Sequence, residues 1–256
     1  IECNKHLKFG KFLERARLLG FEYIATGHYV IREYSEEKGR WLLKRSPDVK
    51  KDQSYVLYNM SQDELAHTLF PCGELKKEKI RELAEQSGLI NADKPDSQDI
   101  CFIPDGDYAR FIEERAGESP SGDTLLTDGT KLGTHRGLIH YTVGQRRGVG
   151  VSHSEPLFVV SKDIKKNTLI LGTKDKLYSE SLTAKNCNFI LFESLDKPYR
   201  CKAQTRYHQT AADCTISPLG EGRVLCEFDE PHRAVSKGQA VVFYDSDYVV
   251  GGGEIE

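Results

Sequence analysis

The side chain best suited to nucleophilic chemistry is the thiol of Cys3, which stands just before the first predicted helix. Three basic residues, Lys5, His6 and Lys8, follow it closely. Cations and a helix N-terminus both favour the thiolate, which is the nucleophilic form of cysteine. The pattern therefore predicts a reactive cysteine at position 3, with a frayed chain end of no chemical role as the alternative.

Cys101 is the second cysteine of interest, because a polar turn meets an apolar run around it at residues 96–103. Its neighbours Ile100 and Phe102 favour a buried, inert thiol on local context alone. The chain has seven cysteines and no Cys-x-x-Cys pair, which argues against a zinc ribbon. Since the sequence shows no secretory leader, we expect reduced thiols and a cytoplasmic protein.

Two polar segments adjoin predicted strands in the first part of the chain. Gly27 and His28 follow a short strand at residues 23–25, and ligands of open α/β sheets bind at the carboxyl ends of strands. A turn glycine beside a hydrogen-bonded histidine is the simpler interpretation of that pair. Lys51, Asp52 and Gln53 precede a predicted apolar strand, where a solvated charge cluster is the usual explanation.

A third polar segment lies at the end of a strand predicted over residues 200–207. Alternation along it places Arg206 and His208 on one face, with Tyr207 between them. Arginine beside an aromatic ring suits phosphate contact and base stacking. Cross-strand packing is the commoner use of such residues. Residues 144–148 (Gly-Gln-Arg-Arg-Gly) form another basic segment, which suits the approach of an RNA backbone.

The elements that position these residues change in type along the chain. Helices and strands alternate over the first hundred residues, which predicts an α/β fold with a parallel sheet. Helical spacing runs from Phe9 to Leu19 and stops at Gly20; a capping box at Ser61 opens a helix expected to reach Leu69. Another helix is predicted around residues 75–84, with Gly88 after its end.

The second half of the sequence is predicted to be mostly β-structure. A helix at residues 108–114 precedes a hairpin with Asp128-Gly129 at its turn. Short strands then follow at regular intervals, which is typical of a small antiparallel barrel or sandwich. They are predicted at residues 157–161, 168–171, 200–207, 224–228 and 240–244.

Composition sets the class of protein. With 36 basic and 39 acidic residues the net charge is −3, which excludes a strongly basic nucleic-acid binder but leaves room for a local basic face. No apolar run approaches the roughly 18 residues of a membrane span, so we expect no membrane partner. The chain opens on Ile1 with no initiator methionine, and we interpret it as a piece of a longer protein.

Taken in order, these segments resemble the bacterial tRNA-specific 2-thiouridylases nearly from end to end. The matching motifs are Cys-Asn-Lys at 3–5, Ala-Thr-Gly-His-Tyr at 25–29, Lys-Asp-Gln-Ser-Tyr at 51–55, Gly-Glu-Leu at 73–75, Asp-Ser-x-x-Ile-Cys-Phe-Ile at 96–103, Tyr-Thr-Val-Gly-Gln-Arg at 141–146, Thr-Arg-Tyr at 205–207, Phe-Asp-Glu-Pro at 228–231, Gly-Gln-Ala-Val-Val-Phe-Tyr at 238–244 and Gly-Gly-Gly at 251–253. No one of them is decisive, whereas the ordered series is highly specific.

The resemblance implies an ATP-dependent sulfurtransferase. In this family a PP-loop ATP pyrophosphatase domain adenylates the 2-carbonyl of the wobble uridine, and a protein persulfide replaces that oxygen with sulfur. Cys3 matches the nucleophile and Cys101 the persulfide carrier, and their cycle leaves a disulfide. Gly27 matches an ATP contact. The positions that match tRNA contacts are His28, Lys51, Asp52, Gln53, Arg206, Tyr207 and Gln239.

The resemblance also implies partners and three domains. The partners are the anticodon stem-loop of Lys, Glu or Gln tRNAs and a persulfide donor, either a cysteine desulfurase or a relay protein. Magnesium is implied by ATP chemistry, but no metal ligand is identified. The domains are the remainder of the PP-loop domain (1–104), a small mixed connector (105–172) and a β-barrel (173–256).

One family motif is missing from the sequence. The Ser-Gly-Gly-x-Asp-Ser phosphate loop does not occur in it, so this fragment is expected to be inactive alone. Two other classes of protein stay open at this point. One is a non-catalytic tRNA-binding module, which has no use for the two cysteines. The other is a different PP-loop synthetase, which needs no sulfur carrier.

Overall fold

The computed structural model describes residues 1–90, 103 and 105–256. Two compact units make up the chain. The first consists of Ile1–Asp93, Glu180–Glu230 and Lys237–Glu256, and the second of Lys94–Ser179 and Pro231–Ser236. In the described residues no helix is both long and apolar enough to span a membrane.

The first unit begins with helical structure, as predicted. A π-helix, Asn4–Phe12, continues as the α-helix Leu13–Leu18 (α1) and buries Phe9, Leu13 and Ala16. Gly20 ends it with a φ of 83°, a left-handed conformation that glycine adopts without strain. The helix Lys77–Gln86 (α3) follows later, and Gly88 after it has a φ of 65°. Both predicted glycine stops are therefore confirmed.

In the part of the chain that the structure describes, the parallel sheet of the first unit pairs the strands Ile24–Ala25 (β1) and Thr68–Leu69 (β4). The predicted capping box at Ser61 is present and opens the helix Gln62–Ala66 (α2). The prediction that this helix reaches Leu69 is wrong. Thr68 and Leu69 lie in strand β4 instead, because the backbone of residues 67–69 pairs with β1. The pairing includes 3.0 Å bonds from Ile24 N to His67 O and from Thr26 N to Leu69 O.

A hairpin that the sequence did not suggest lies between these elements. Its strands, Val30–Ser35 (β2) and Arg40–Arg45 (β3), pair antiparallel over six residue pairs. The apolar strand expected after Gln53 is absent, and a short 3-10 helix, Ser54–Leu57, takes its place. Strand β3 also pairs with the last strand of the chain, at Tyr248 and Lys44.

The antiparallel barrel predicted for the last part of the chain is present, and it is closed. Its six strands are Tyr178–Phe189 (β9), Tyr199–Gln204 (β10), Ala212–Gly220 (β11), Arg223–Arg233 (β12), Ala240–Asp245 (β13) and Tyr248–Ile255 (β14). They follow one another in the order β13-β10-β11-β12-β9-β14, and pairing of β13 with β14 completes the ring.

An apolar core connects the α/β elements of the first unit to the barrel. It joins Phe9 and Leu13 of the first helices to Leu43 of the hairpin and to Val242 and Tyr244 of the barrel. All five side chains are buried. The α/β elements and the barrel are therefore packed as one body, although about a hundred residues separate them in sequence.

The second unit is a small mixed domain around a four-stranded sheet of order β6-β5-β8-β7. The predicted hairpin is confirmed, with Gly129 at a φ of 92° in its turn. Strand β5 pairs parallel with β8, and the other pairs are antiparallel. The elements are Tyr108–Ala116 (α4), Gly122–Leu126 (β5), Lys131–His135 (β6), Phe158–Asp163 (β7) and Thr168–Gly172 (β8), with 3-10 helices Leu138–His140 and Lys174–Leu177.

Candidate functional site

Cys3 lies in the first turn of the helical structure, directly before the π-helix Asn4–Phe12. Its side chain is exposed and free. Ile1 packs against the core of the unit, which anchors the chain end beside it. An exposed thiol at a helix start is accessible to an electrophile. Cys101 lies outside the described residues.

The cysteines of the barrel have the opposite environment. Cys201, Cys214 and Cys226 are buried on adjacent strands, and the Cys201 and Cys214 sulfurs lie 3.7 Å apart. The Cys214 thiol and burial together raise the pKa of Cys201, and the same two causes raise that of Cys226. Burial also raises the pKa of Cys187, to about 12. Burial keeps reagents away from Cys201, Cys214 and Cys226, and Cys3 is the one exposed cysteine in the described part of the chain.

Gly27 lies just after β1, at the carboxyl end of the parallel sheet. It is exposed, its backbone is outside the left-handed region, and a Cβ added to it would meet no atom within 4 Å. Neither the backbone nor the packing therefore requires glycine here. Glycine at this position lets a ligand approach the backbone closely. The carboxyl end of the sheet fits contact with a nucleotide such as ATP.

His28, the neighbour of Gly27, points into the protein. It is 7% exposed, shares a 2.9 Å hydrogen bond with Thr26 and packs against the rings of Phe9 and Phe70. Burial, reinforced by the positive charge of Lys8, lowers its pKa to about 4. The ring is thus neutral at physiological pH and is part of the aromatic packing beside the end of β1.

The structure brings together two polar segments that the sequence left apart. The hydroxyl of Tyr207 donates a 3.1 Å hydrogen bond to the backbone carbonyl of Asp52, across more than 150 positions of sequence. The ring of Tyr207 also lies 5.9 Å from that of Tyr55. Residues 51–53 and 206–207 therefore form one continuous surface where the α/β elements meet the barrel.

Hydrogen bonds inside the first segment hold its shape. The Asp52 carboxylate accepts bonds from the backbone N–H of Ser46 and from the N–H and hydroxyl of Ser54. Burial raises the pKa of Asp52, and these bonds oppose that change. Gln53 accepts a 3.0 Å bond from the Tyr29 N–H and donates its own N–H to the Tyr29 carbonyl. Asp52 and Gln53 thus shape the segment, while Lys51 is half-buried beside them.

Arg206 is not in a strand, contrary to the prediction. Strand β10 ends at Gln204, and residues 205–209 form a turn. The Gln204 amide donates to the carbonyls of Arg206 and Tyr207, at 3.0 and 2.7 Å, which curls the chain back onto the strand end. The expected sharing of one strand face by Arg206 and His208 is therefore wrong. The ring of His208 instead lies 4.4 Å from that of Tyr207.

A cleft of about 520 Å³, here called the Arg45 pocket, opens beside this turn. Its lining includes Arg45, Lys50, Tyr55, Tyr207, His208 and Tyr244. Sequence reasoning missed Arg45, Tyr55 and Tyr244 as site residues. The only available signal was Tyr55 at the end of the Lys-Asp-Gln-Ser-Tyr motif, because nothing in the sequence pairs the hairpin with the barrel.

Gln239 is exposed just before β13 and outside the lining of the Arg45 pocket. Its backbone carbonyl accepts a 2.8 Å bond from the Ile255 N–H, which fixes the start of the strand. The next residue, Ala240, accepts a 2.8 Å bond from the Tyr55 hydroxyl. Over the residues that the structure describes, no group of three or more His, Cys, Asp or Glu side chains is arranged to hold a metal ion.

Three family models match successive parts of the chain. The tRNA methyl transferase HUP domain matches residues 1–105, the tRNA methyl transferase PRC-barrel domain matches 109–173, and the aminomethyltransferase beta-barrel domain matches 179–255.

Curated relatives match along the whole chain. It is 52% identical over 257 residues to the tRNA-specific 2-thiouridylase MnmA 2 of Caldanaerobacter subterraneus, covering 100% of this chain and 71% of the relative. The chain belongs to the tRNA-specific 2-thiouridylase family. A further family member, MnmA of Acetivibrio thermocellus, is 49% identical over 257 residues, covering 100% of this chain and 72% of its own. MnmA of Clostridioides difficile is 45% identical over the same length, covering 100% and 71%.

Membership of the 2-thiouridylase family agrees with the fold. A HUP domain is an α/β domain, and its match covers the parallel sheet with Cys3 and Gly27. The beta-barrel match covers the six-stranded barrel.

Proposed function

We propose that this chain is part of an enzyme that thiolates tRNA, replacing the 2-oxygen of the wobble uridine with sulfur. The observation that carries the proposal is identity of about half of all residues, over the entire chain, to proteins named tRNA-specific 2-thiouridylases. The exposed thiol of Cys3 and the free space at Gly27 support it, because the reaction needs both a nucleophilic sulfur and an activating nucleotide.

The proposed cycle assigns one role to each cysteine. ATP supplies the adenylate that turns the uridine oxygen into a leaving group. The terminal sulfur of a Cys101 persulfide attacks the activated carbon, and AMP leaves. The Cys3 thiolate then attacks the Cys101 sulfur, which releases the thiolated base and leaves a Cys3–Cys101 disulfide. A thiol reductant restores both cysteines. In the other version of the cycle, the Cys3 thiolate first attacks the Cys101 sulfur of the persulfide, which forms the disulfide and releases hydrosulfide. The hydrosulfide then attacks the activated carbon, and AMP leaves.

Gly27 is proposed to contact ATP, since the exposed backbone after β1 has space for a ligand. Mg²⁺ would accompany the phosphates of ATP. The sulfur donor is proposed to be a cysteine desulfurase or a relay protein that carries a persulfide.

The tRNA is proposed to bind along the surface formed by residues 51–53, 206–207 and 239, with His28 at the sheet edge. The bond between Tyr207 and Asp52 supports this, because it places the first two segments side by side. The buried ring of His28 favours a supporting role there over exposed contact. The proposed substrates are the Lys, Glu and Gln tRNAs, recognised through the anticodon stem-loop.

The domain division at 104 and 172 is also proposed. The three family-model matches, which end or begin near those positions, support it. Because the printed sequence contains no Ser-Gly-Gly-x-Asp-Ser loop, we propose that this stretch is inactive without it. The activity experiments below therefore use the intact enzyme, meaning a chain that carries the phosphate loop.

The test is a single turnover of the intact enzyme with unmodified tRNA, ATP and a persulfide donor, followed by nucleoside mass spectrometry. We expect 2-thiouridine in the parent enzyme, and none with Cys3→Ser or Cys101→Ser, while both variants still release pyrophosphate. Cys72→Ser is the matched control and should thiolate at the parent rate. A Cys3→Ser enzyme that thiolates at the parent rate would falsify the role of Cys3.

The same measurement separates the rival functions. Two of the family models carry the words methyl transferase in their descriptions, and methylation gives a different mass gain from the exchange of oxygen for sulfur. A binding module would bind tRNA without either product. A synthetase of another kind would release pyrophosphate only with a carboxylate substrate.

A further inference from the structure

Three thiols that the proposed cycle does not use lie buried together in the barrel. Cys201, Cys214 and Cys226 belong to the neighbouring strands β10, β11 and β12. Cys214 and Cys226 are completely buried, whereas Cys201 is 6% exposed, so the cluster reaches solvent at that residue. The sulfur atoms of Cys201 and Cys214 are 3.7 Å apart. The two sulfurs therefore touch without being bonded.

The pairing of β10 with β11 meets the geometric requirement of a disulfide. Cys201 lies directly opposite Cys214 in this antiparallel pair, and the register runs without a bulge from Tyr199 to Ala203. Opposite residues of an antiparallel pair have Cα atoms about 4.5–5.5 Å apart, within the roughly 4.4–6.8 Å that disulfides span. Rotation of the two side chains can therefore join the sulfurs without a shift of the strands.

The register also excludes the third thiol as a partner. On β12 the residue opposite Cys214 is Phe228, and Cys226 lies two positions away from it. Such diagonal neighbours have Cα atoms about 7–8 Å apart, which is too far for a disulfide without backbone movement. Cys201 and Cys226 are farther apart still, at about 9–10 Å, because β11 lies between their strands. Of the three pairings, the fold permits only Cys201 with Cys214.

The hydrogen bonds of the cluster favour Cys214 as its nucleophile. The thiols of Cys201 and Cys226 lower the pKa of Cys214 by hydrogen bonding, whereas burial acts in the opposite direction. The positive charge of Arg200 adds to the effect of the hydrogen bonds. Since the thiolate is the nucleophilic form of cysteine, the most reactive sulfur of the cluster lies in contact with a second sulfur.

We propose that Cys201 and Cys214 form a reversible disulfide when the enzyme encounters hydrogen peroxide. The Cys214 sulfur attacks one peroxide oxygen, which breaks the O–O bond, gives a sulfenic acid and releases hydroxide. The Cys201 sulfur then attacks the sulfenic sulfur, so that the S–S bond forms and the S–O bond breaks. The protons of the two thiols end in water. Two thiols and one peroxide molecule thus give one disulfide and two water molecules, and a thiol reductant reverses the reaction by exchange.

The proposed bond encloses a short part of the barrel. Residues 201–214 contain the end of β10, the turn at 205–209 and the start of β11. A disulfide restricts the unfolded chain between its two cysteines, so we expect the oxidised barrel to resist urea better than the reduced one. The inference is independent of the proposed function, because it depends only on the barrel strands and their thiols.

The first experiment identifies the bond in the intact enzyme. The folded protein is treated with hydrogen peroxide until Cys3 is fully oxidised, remaining thiols are alkylated in denaturant, and peptides are mapped without reduction. We expect two peptides joined through Cys201 and Cys214, with a loss of two hydrogen atoms, and an alkylated Cys226. Dithiothreitol should separate the joined peptides. A bond from Cys226 to either neighbour, sulfinic acid at Cys214, or alkylation of all three thiols would overturn the proposal.

The second experiment compares two matched variants that each lose one buried thiol. Both carry Cys3→Ser, which prevents the proposed disulfide with Cys101. Peroxide should raise the urea midpoint of Cys226→Ala and leave that of Cys201→Ala unchanged, because only the latter lacks a partner for Cys214. A rise in Cys201→Ala, or none in Cys226→Ala, would contradict the assigned pairing. Circular dichroism of the reduced variants checks folding, and the mapping of the parent enzyme decides the proposal if either variant fails to fold.

Discussion

The α/β elements and the barrel share an apolar core, yet their cysteine side chains have different environments. The α/β part presents the Cys3 thiol at an exposed helix start and leaves space above Gly27. The barrel buries Cys201, Cys214 and Cys226 on its strands. In a closed barrel the backbone groups pair with one another, whereas an open sheet and its helix ends leave polar edges free. The exposed thiol of Cys3 and the free space at Gly27 thus both lie at ends of elements.

The largest expected effect is on thiol reactivity. Under native conditions iodoacetamide should modify Cys3 at least on the order of a hundredfold faster than the three barrel cysteines, because burial blocks access to their sulfur atoms. Quenched time points with peptide mapping measure each rate. In denaturant all four should react at similar rates. Equal rates in the native protein would remove the contrast between the two regions.

His28 belongs to the α/β part, yet its side chain is buried, as the three barrel thiols are. Its folded-state pKa of about 4 lies below the ordinary 6.5, so on acidification the unfolded chain takes up a proton first. Its contribution to stability is present above pH 6.5 and is lost as the pH falls toward 4. The loss amounts to about 3 kcal/mol, at about 1.4 kcal/mol for each pKa unit.

Urea unfolding across that pH range checks this prediction. His28→Gln should show a shallower fall in the free energy of unfolding than the parent, since glutamine does not titrate. His6→Gln, at an exposed histidine of the preceding helix, is the control and should follow the parent. If the stability of His28→Gln changes with pH as that of the parent does, the imidazole takes up its proton equally readily in the folded and the unfolded protein.

The next effect concerns the barrel thiols. Cys214→Ser introduces a hydroxyl at a fully buried position beside Cys201 and should lower the free energy of unfolding by about 1–3 kcal/mol. Cys3→Ser, at an exposed position, should change it by less than about 0.5 kcal/mol. Thermal or urea denaturation measures both. Equal effects would show that burial does not distinguish the two regions energetically.

The sequence predicted those features that depend on local chemistry. Gly20, Gly88 and the Ser61 capping box marked real helix ends, and Asp128-Gly129 marked a real hairpin, because each requires only its neighbours. Alternating runs separated by turn residues likewise predicted the barrel strands. The α/β class and the barrel were therefore accessible without the structure.

Features that depend on distant partners were not predicted. Thr68 and Leu69 leave the helix for a strand only because β1 is beside them. The Arg206 turn depends on the Gln204 amide, and the Arg45 pocket needs the hairpin to reach β14. For Cys3 the exposed helix start agrees with the residues around it, whereas its partner Cys101 was suggested by family resemblance alone and remains a prediction.

The smallest expected effect tests the bond that joins the two regions. Tyr207→Phe removes the hydroxyl that donates to the Asp52 carbonyl and keeps the ring. Loss of one such bond should lower the free energy of unfolding by about 1 kcal/mol. Tyr34→Phe is a suitable control, because Tyr34 is an exposed tyrosine of the β2 strand. Since the ring remains, RNA affinity should fall less in Tyr207→Phe than in Tyr207→Ala. A phenylalanine variant as stable as the Tyr34 control would mean that the shared apolar core alone joins the α/β elements to the barrel.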